Sequence, residues 1–365
     1  MSDYVYASTD EEKPIKPLPN ISSVGQEKYE KLKSNRSKLI KRRQIRNNFS
    51  CEGHFLKNCA VSSMPGRRLK MEDKFKFFSY QNFNFYVVFD GHGGDLGVKL
   101  ACENVERIVV EEIKSHTCNL NFEEIFKNSF KNLDNFLYEN LDGNRANDGT
   151  TISCFCHDTK NQIIHLAWLG DSKIIIFNEK SQLLYETIDH KPNLKCEEEY
   201  ILNLGGFVRK NRVLGSLAVS RALGDFRLKK CEPKGVNRSE YHDSNDPYTQ
   251  MYNQDFVRVQ PDYEFFKINE LKNDSNSEKL NIVIASDGLW SVHNCHNSEN
   301  YSEHKYKNVI NCVNYTLYPK IFKIKSKNSK IRSDEENLLK ASKRLCLNAF
   351  DRGSRDNICC VLVTS

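Results

Sequence analysis

Long apolar runs are absent from this sequence of 365 residues. No stretch approaches the roughly 20 consecutive apolar residues that a membrane-spanning helix needs. The opening residues MSDYVYASTDEEKP also lack the apolar core of a signal peptide, and Ser2 stands where myristoylation requires glycine. We therefore expect a chain without a transmembrane segment, located in the cytoplasm, the nucleus or both.

Closely spaced cysteine pairs of the CxxC type are also missing, although the chain has 13 cysteines. Structural zinc sites and disulfide frameworks both need regular spacing, which this odd and scattered set does not have. We expect reduced thiols that pack as small core residues. With 39% hydrophobic and 28% charged residues, the composition is that of a globular protein and excludes a wholly disordered chain.

Positive charge is concentrated near the N-terminus. Between Gln26 and Arg46 there are nine Lys or Arg against two Glu, a local balance of +7 against a formal net charge of +6 for the whole chain. Residues 1–50 are therefore predicted to be a basic, flexible extension. The run KLIKRRQIR is typical of a solvated basic arm or, alternatively, of a nuclear-import or anionic-surface patch. No feature predicts specific binding of nucleic acid.

The spacing of apolar residues after residue 50 predicts the fold class. Two segments with helical spacing come first, and strand-like runs joined by short turns follow. Consecutive hairpins indicate antiparallel sheets with segregated helices, an α+β fold, in one domain over residues 51–365. Polar insertions are predicted near 227–260 and 293–334. The predicted helices are 95–114, 122–141, a short piece near Val309 and 336–350, and the main predicted strands are 151–156, 162–169, 173–178, 182–187, 282–285 and 358–363.

Acidic residues stand at the ends of several predicted strands. The run FYVVFDGHGG is predicted to be a buried strand that stops at Asp90, followed by glycines that let a ligand approach the backbone. Each acid alone is a common turn residue, but several gathered together repel one another unless a cation lies between them. Oxygen ligands without a His or Cys group favour Mg²⁺ or Mn²⁺ over zinc. The four acids at these positions are Asp90, Asp171, Asp287 and Asp356, and Glu72 of the sequence MED joins them.

Nine short motifs occur in the order found in the metal-dependent type-2C protein serine/threonine phosphatases (PPM family), which the chain resembles from about residue 55 to the C-terminus. The resemblance implies a four-layer sandwich of two antiparallel β-sheets flanked by pairs of helices. It also implies an Mg²⁺- or Mn²⁺-dependent hydrolase that dephosphorylates phosphoserine and phosphothreonine proteins in signalling. The motifs are RLKMED (68–73), DGHGG (90–94), GTTI (149–152), GDSK (170–173), DHKP (189–192), GG (205–206), SLAVSRALGD (216–225), SDGLW (286–290) and GSRDN (353–357).

The resemblance implies two metal ions that share one acid. Glu72, Asp90 and the carbonyl of Gly91 would bind one ion, and Asp90, Asp287 and Asp356 would bind the other. Water that bridges two cations about 4 Å apart can attack phosphorus directly, without a covalent enzyme intermediate.

A weaker third ion is implied at Asp171 together with Asp287. The family usually has Asp after SDGLW, whereas this chain has Ser291, so occupancy of this third site is left open. Asp73 and Asn357 correspond to neighbouring positions that are expected to support the metal ligands.

Three further polar residues are assigned roles. Arg68 offers a planar donor fork for phosphate oxygens, with Arg67 as the alternative, and the spacing to Glu72 favours Arg68. His92 is expected to protonate the departing Ser or Thr oxygen, the alternative being that it only orients a neighbouring group. Arg221 is expected to be structural.

Two other functions compete with an active, monomeric phosphatase. A catalytically silent, phosphatase-like regulatory or binding module would keep the fold without turnover, but it would have no reason to retain clustered acids. A metal nuclease would share the acids, but its only support is the basic extension, and it would need a basic path interleaved with aromatic residues.

Overall fold

The computed structural model describes residues 52–56, 58–116, 120–230, 254–274, 277–293, 306–322 and 333–365. The chain divides into two units, Met1–Phe49 and Ser50–Ser365, and all of the described residues belong to the second. The predicted basic extension lies outside the described residues, as do 231–253, 294–305 and 323–332 of the two predicted insertions. In the ranges given above, no helix is both long and apolar enough to cross a membrane.

Most strands of the described chain belong to two antiparallel sheets. Sheet 1 has the order β1-β2-β15-β14-β8-β9, and sheet 2 has the order β12-β5-β4-β6-β7-β13, with β3 also paired to β4. A short hairpin, β10-β11, stands apart. The strands are β1 Glu52–Leu56, β2 Cys59–Met64, β3 Asp73–Tyr80, β4 Phe83–His92, β5 Gly149–Thr150, β6 Ile152–Asp158, β7 Ile163–Leu169, β8 Lys173–Asn178, β9 Leu183–Glu186, β10 Val208–Arg209, β11 Arg212–Val213, β12 Leu223–Gly224, β13 Asp262–Lys267, β14 Leu280–Ala285 and β15 Ile358–Thr364.

Helices cover the outer faces of both sheets. The first two pack on each other and on sheet 2, and the last two pack on each other, with the final helix lying on β1, β2 and β15 of sheet 1. The structure therefore has four layers, helices, sheet, sheet and helices. The helices in the described ranges are α1 Leu96–Ser115, α2 Phe122–Asn140, α3 Lys195–Asn203, α4 Ile268–Asp274, α5 Asp287–Trp290, α6 Lys307–Leu317 and α7 Asp334–Asp351.

The central strand β4 shows how the sequence produces these layers. Alternate side chains of a strand point to opposite faces of a sheet. Phe85, Val87 and Phe89 accordingly pack with the apolar faces of α1 and α2, whereas Tyr86 and Val88 pack between the two sheets. Both faces of β4 are buried, which explains its continuous apolar run.

The predicted α+β sandwich is confirmed, with one correction at the central strand. The strand does not stop at Asp90, because β4 continues through His92. Up to Val88 it pairs with β6, and beyond Asp90 it changes partner to β5, with Gly91 opposite Thr150 and His92 opposite Gly149. Asp90 thus lies within a strand whose hydrogen bonds hold it on the sheet.

Candidate active site at the common edge of the two sheets

Sheet 1 brings acidic residues from distant parts of the sequence to one edge. Asp287 is the first residue of α5 and is separated from the end of β14 by Ser286 alone, and Asp356 precedes β15. The two strands are antiparallel, with Ala285 opposite Cys360, so the end of β14 lies beside the start of β15. Both acids therefore lie at the same edge of the sheet.

Asp171 reaches this edge through the loop between β7 and β8. Strand β8 pairs with β14, with Lys173 opposite Ala285, so the start of β8 also lies beside Asp287. The carboxylate of Asp171 is 8% exposed and forms an ion pair with the ammonium group of Lys191. The ammonium group of Lys191 thus contacts the residue that was predicted to bind the third ion.

Sheet 2 contributes Asp90, which is tied to its surroundings mainly through its backbone. Its carbonyl oxygen accepts a hydrogen bond from the amide of Thr151 at 3.0 Å, and its amide donates to Thr151 Oγ1 at 3.2 Å. Asp73 lies directly opposite it on β3. The amide of Asp287 lies 3.4 Å from Asp90 Oδ2, and this contact connects the acids of the two sheets.

Burial and mutual repulsion act strongly on these carboxyl groups. Burial raises the pKa of Asp73 to about 8, with further repulsion from Asp287 and Asp356, although Ser286 Oγ donates to Asp73 Oδ2 at 2.6 Å. Burial and the charge of Asp73 raise the pKa of Asp90 well above its ordinary value. Burial, together with Asp171 and Asp356, raises the pKa of Asp287 to about 7. Positive charge between these groups would offset the cost of holding them together.

The chemistry of these side chains fits a hard divalent cation, because the acids lie near one another, are buried or partly buried, and have no cysteine or histidine ligand among them. In the described part of the chain, however, no three His, Cys, Asp or Glu side chains converge as a ready ligand set. The acids lie within electrostatic reach of one another, while two of them pair with cations of the protein, Asp171 with Lys191 and Asp356 with Arg68.

Asn357 organises the loop that carries Arg68 and Glu72. Its Oδ1 accepts a hydrogen bond from the amide of Glu72 at 2.7 Å, and its Nδ2 donates to the carbonyl oxygens of Pro65 and Lys70 at 2.9 and 2.8 Å. One side chain thereby joins the start of β15 to the loop before β3.

The two neighbouring arginines of this loop point to different surroundings. Arg68 Nη2 donates to Asp356 Oδ2 at 2.8 Å, and the side chain is 54% exposed, so it is open to a ligand. Arg67 Nη1 donates to the carbonyl oxygen of Ser354, and its guanidinium lies 4.9 Å from the centre of the Phe350 ring. Of the two, Arg68 is the one placed beside the acids.

His92 forms a close pair with Asp225. The distance between His92 Nε2 and Asp225 Oδ2 is 2.7 Å, and Asp225 is buried whereas His92 is partly exposed. Burial of the ring lowers the pKa of His92, but attraction to Asp225 outweighs this effect and leaves that pKa raised. The charges of Asp171 and Glu72 also raise this pKa.

Arg221 lies in a buried ion network that fixes helix α3. Its Nε donates to Glu197 Oε1 at 3.0 Å, and its Nη1 donates to Asp262 Oδ1 at 2.6 Å, while Arg258 Nη2 donates to the same oxygen of Glu197 at 2.7 Å. Glu197 is completely buried. Burial alone would raise its pKa, but hydrogen bonds from the arginines outweigh burial and lower the pKa to about 2.

Two residues of this region, Lys191 and Asp225, received no role from the sequence. Lys191 belongs to the motif DHKP and Asp225 to the motif SLAVSRALGD, and membership of these motifs was the only sign in the sequence that they lie at the site. Their partners lie 20 and 133 positions away in the sequence, so only the folded chain shows the contacts.

A family model for protein phosphatase 2C matches residues 57–298 of this chain. The chain belongs to the protein phosphatase 2C family. Its similarity to protein phosphatase 2C homolog 2 of Schizosaccharomyces pombe is 31% identity over 258 residues, 68% of this chain and 62% of that protein. Protein phosphatase 1A of Bos taurus is 28% identical over 267 residues, 70% of this chain and 63% of that protein. The matches thus span a little over three fifths of the length of these relatives.

Solved structures with the same fold include a phosphatase from Toxoplasma gondii. It has a TM-score of 0.60 and 18% identity, covering 87% of this chain and 94% of that one. A sex-determining protein of C. elegans has a TM-score of 0.61 and 22% identity, covering 84% of this chain and 64% of that one. At these identities the likeness supports the family's fold and not a particular substrate.

Proposed function

We propose that this chain is a protein serine/threonine phosphatase that hydrolyses phosphoserine and phosphothreonine with Mg²⁺ or Mn²⁺. The observation that carries the proposal is the meeting of acids from both sheets at one edge, with the amide of Asp287 beside Asp90 Oδ2 and Arg68 beside Asp356. Membership of the protein phosphatase 2C family supports the same activity. Retention of partly buried acids that repel one another is hard to explain in a silent binding module.

The residues that would hold two cations are Glu72, Asp90, Asp287 and Asp356, with the carbonyl oxygen of Gly91. The chemistry that such cations supply is neutralisation of phosphate charge and activation of water for attack on phosphorus. Asp73 and Asn357 would keep these ligands in place, Asp73 from the strand opposite Asp90 and Asn357 through the amide of Glu72. A further cation at Asp171 would have to displace the ammonium group of Lys191.

Arg68 and His92 would act on the substrate itself. The exposed guanidinium of Arg68 can donate two parallel hydrogen bonds to phosphate oxygens, a geometry that lysine cannot reproduce. The His92 ring, held by Asp225, would give a proton to the departing serine or threonine oxygen. The natural phosphoprotein substrate would be recognised by surfaces outside this group of residues.

Phosphate release from a phosphothreonine peptide tests the proposal. We expect activity with Mn²⁺, no activity with EDTA, and a loss of more than about 100-fold in Asp90→Asn, because a ligand contributes at least as much as its supporting residues. Asp158→Asn is the matched control, since Asp158 is a buried aspartate at the opposite end of the sheet, paired with Phe83 of β4. Activity that survives EDTA or Asp90→Asn contradicts the metal mechanism, and inactivity with every divalent ion favours the binding module.

A further inference from the structure

We propose that Asp225 is a positioning residue for His92, holding the ring by Nε2 so that Nδ1 is the nitrogen presented to the departing oxygen of the substrate. The inference rests on the proposed phosphatase function and assigns a role to a residue outside the expected metal and phosphate ligands. It starts from the 2.7 Å contact between His92 Nε2 and Asp225 Oδ2.

Three neighbouring strands, β4, β5 and β12, create this contact. His92 on β4 is opposite Gly149 on β5, and Gly149 is in turn opposite Gly224 on β12. Asp225 directly follows Gly224, so the histidine and the aspartate come from strands on either side of Gly149. Their side chains therefore meet across the middle strand.

Gly149 is the residue that leaves room for this meeting. A Cβ atom at that position would lie 2.2 Å from Asp225 Oδ2 and 2.6 Å from His92 Nε2. Both distances are far shorter than real contacts of a Cβ atom, so any side chain there would push the pair apart. The absence of a side chain at Gly149 is a requirement of the His92–Asp225 contact.

The backbone of Asp225 is held in an unusual conformation that directs its side chain. Its φ and ψ angles are 54° and 40°, in the left-handed region that costs energy for a residue with a Cβ atom. Its amide donates to the carbonyl oxygen of Asp148 at 3.1 Å, which fixes the turn. The carboxylate is only 5% exposed, so it contacts His92 and has little contact with solvent.

The contact determines which ring nitrogen is available to the substrate. A hydrogen bond from one histidine nitrogen decides the role of the other. With Nε2–H donating to Asp225, the proton that moves is the one on Nδ1. As the bond between phosphorus and the leaving oxygen breaks, its electron pair goes to that oxygen, which takes the Nδ1 proton and leaves as an alcohol, while the neutral ring keeps the Nε2 proton.

Leaving-group dependence distinguishes this role from a purely structural one. p-Nitrophenolate leaves without needing a proton, whereas a threonine alkoxide needs one. We expect Asp225→Asn to lower kcat on a phosphothreonine peptide by about 10-fold to 100-fold, part of the 10²–10⁴-fold that a general acid contributes. The kcat on p-nitrophenyl phosphate should change less than about threefold, because this leaving group does not need a proton. The KM for the peptide should also change less than about threefold, because the substitution affects proton transfer and not substrate binding.

A double-mutant comparison with His92→Gln completes the test. If Asp225 acts through His92, adding Asp225→Asn to His92→Gln should cause little further loss on the peptide. Gly149→Ala, which leaves both partners intact, should reproduce the selective loss by separating them. Asp158→Asn is the control, a buried aspartate that accepts hydrogen bonds from Asn82 and Asn161 far from His92.

Equal losses on both substrates, or additive losses in the double variant, would overturn the positioning role. If Asp225→Asn does not fold, Gly149→Ala decides the matter by the same comparison of substrates. A wild-type protein that hydrolyses neither substrate with Mn²⁺ or Mg²⁺ would instead refute the proposed phosphatase function, so the two failures are distinguishable.

Discussion

Replacement of the fully buried Glu197 by glutamine removes the charge at the centre of the ion network that fixes α3. Glutamine has nearly the same shape and resembles the protonated acid, so the change isolates the carboxylate charge. In the folded protein the pKa of Glu197 is about 2, against its ordinary value of 4.5. This difference of roughly 2.5 units corresponds to about 3 kcal/mol of folding free energy at pH 7.

The sign of the pH dependence follows from the lowered pKa. Stability from Glu197 is fully present above the unfolded-state pKa of about 4.5 and is lost as the pH falls towards about 2, because the unfolded chain binds the proton first. Urea denaturation should therefore show Glu197→Gln about 3 kcal/mol less stable than the wild type at pH 7. The difference between the two proteins should halve at about pH 3, midway between the two pKa values.

Glu199→Gln is the control on the same helix. The Glu199 side chain is 60% exposed, and its Oε1 lies 3.9 Å from Lys195 Nζ. Removal of the Glu199 charge should therefore change the free energy of unfolding by less than about 0.5 kcal/mol. A Glu197→Gln protein as stable as the control at pH 7, or a stability difference from the wild type that stays constant as the pH falls, would show that the Glu197 charge does not stabilise the fold.

Three further predictions concern the site and the core. Asn357→Ala should raise the Mn²⁺ concentration needed for half-maximal activity about 10-fold to 100-fold in a metal titration, because the amide of Glu72 loses its acceptor; an unchanged titration would contradict this role. Gly288→Ala should lower both melting temperature and activity, since its Cβ would lie 1.8 Å from the carbonyl oxygen of Asn357; wild-type behaviour in both assays would show that the backbone there yields freely. Ile284→Ala, between the sheets, should cost about 2–5 kcal/mol in urea denaturation, and a loss below about 1 kcal/mol would contradict close packing at that position.

Much of the fold could be predicted because its signals are local. Helices α1 and α2 lie within one or two residues of the predicted 95–114 and 122–141, since each has an apolar face that repeats with the helical period. Strand β8 has the predicted bounds 173–178, because its six residues are buried and include three consecutive isoleucines. Strand β13, an edge strand whose side chains are exposed or only partly buried, was not predicted, because its apolar pattern is weak.

The candidate site, like the fold, could be predicted from the sequence only in part. The positions of Asp90, Asp171 and Asp287 beside apolar strands are visible in the sequence, so their gathering at a sheet edge could be expected. The His92–Asp225 pair and the Lys191–Asp171 pair could not, because each depends on the register between segments that are distant in sequence. A motif can include such a residue without indicating what it contacts.

The position of β15 within sheet 1 has a consequence for the order of folding. This strand, which follows Asp356, lies between β2 and β14 and pairs with both, so residues near 60, 284 and 361 must meet to complete the sheet. Pairings between such distant segments close slowly, because loop entropy is lost before contacts form. Recovery of the proposed phosphatase activity during refolding should therefore lag behind formation of the locally encoded helices, and it would report completion of the sandwich.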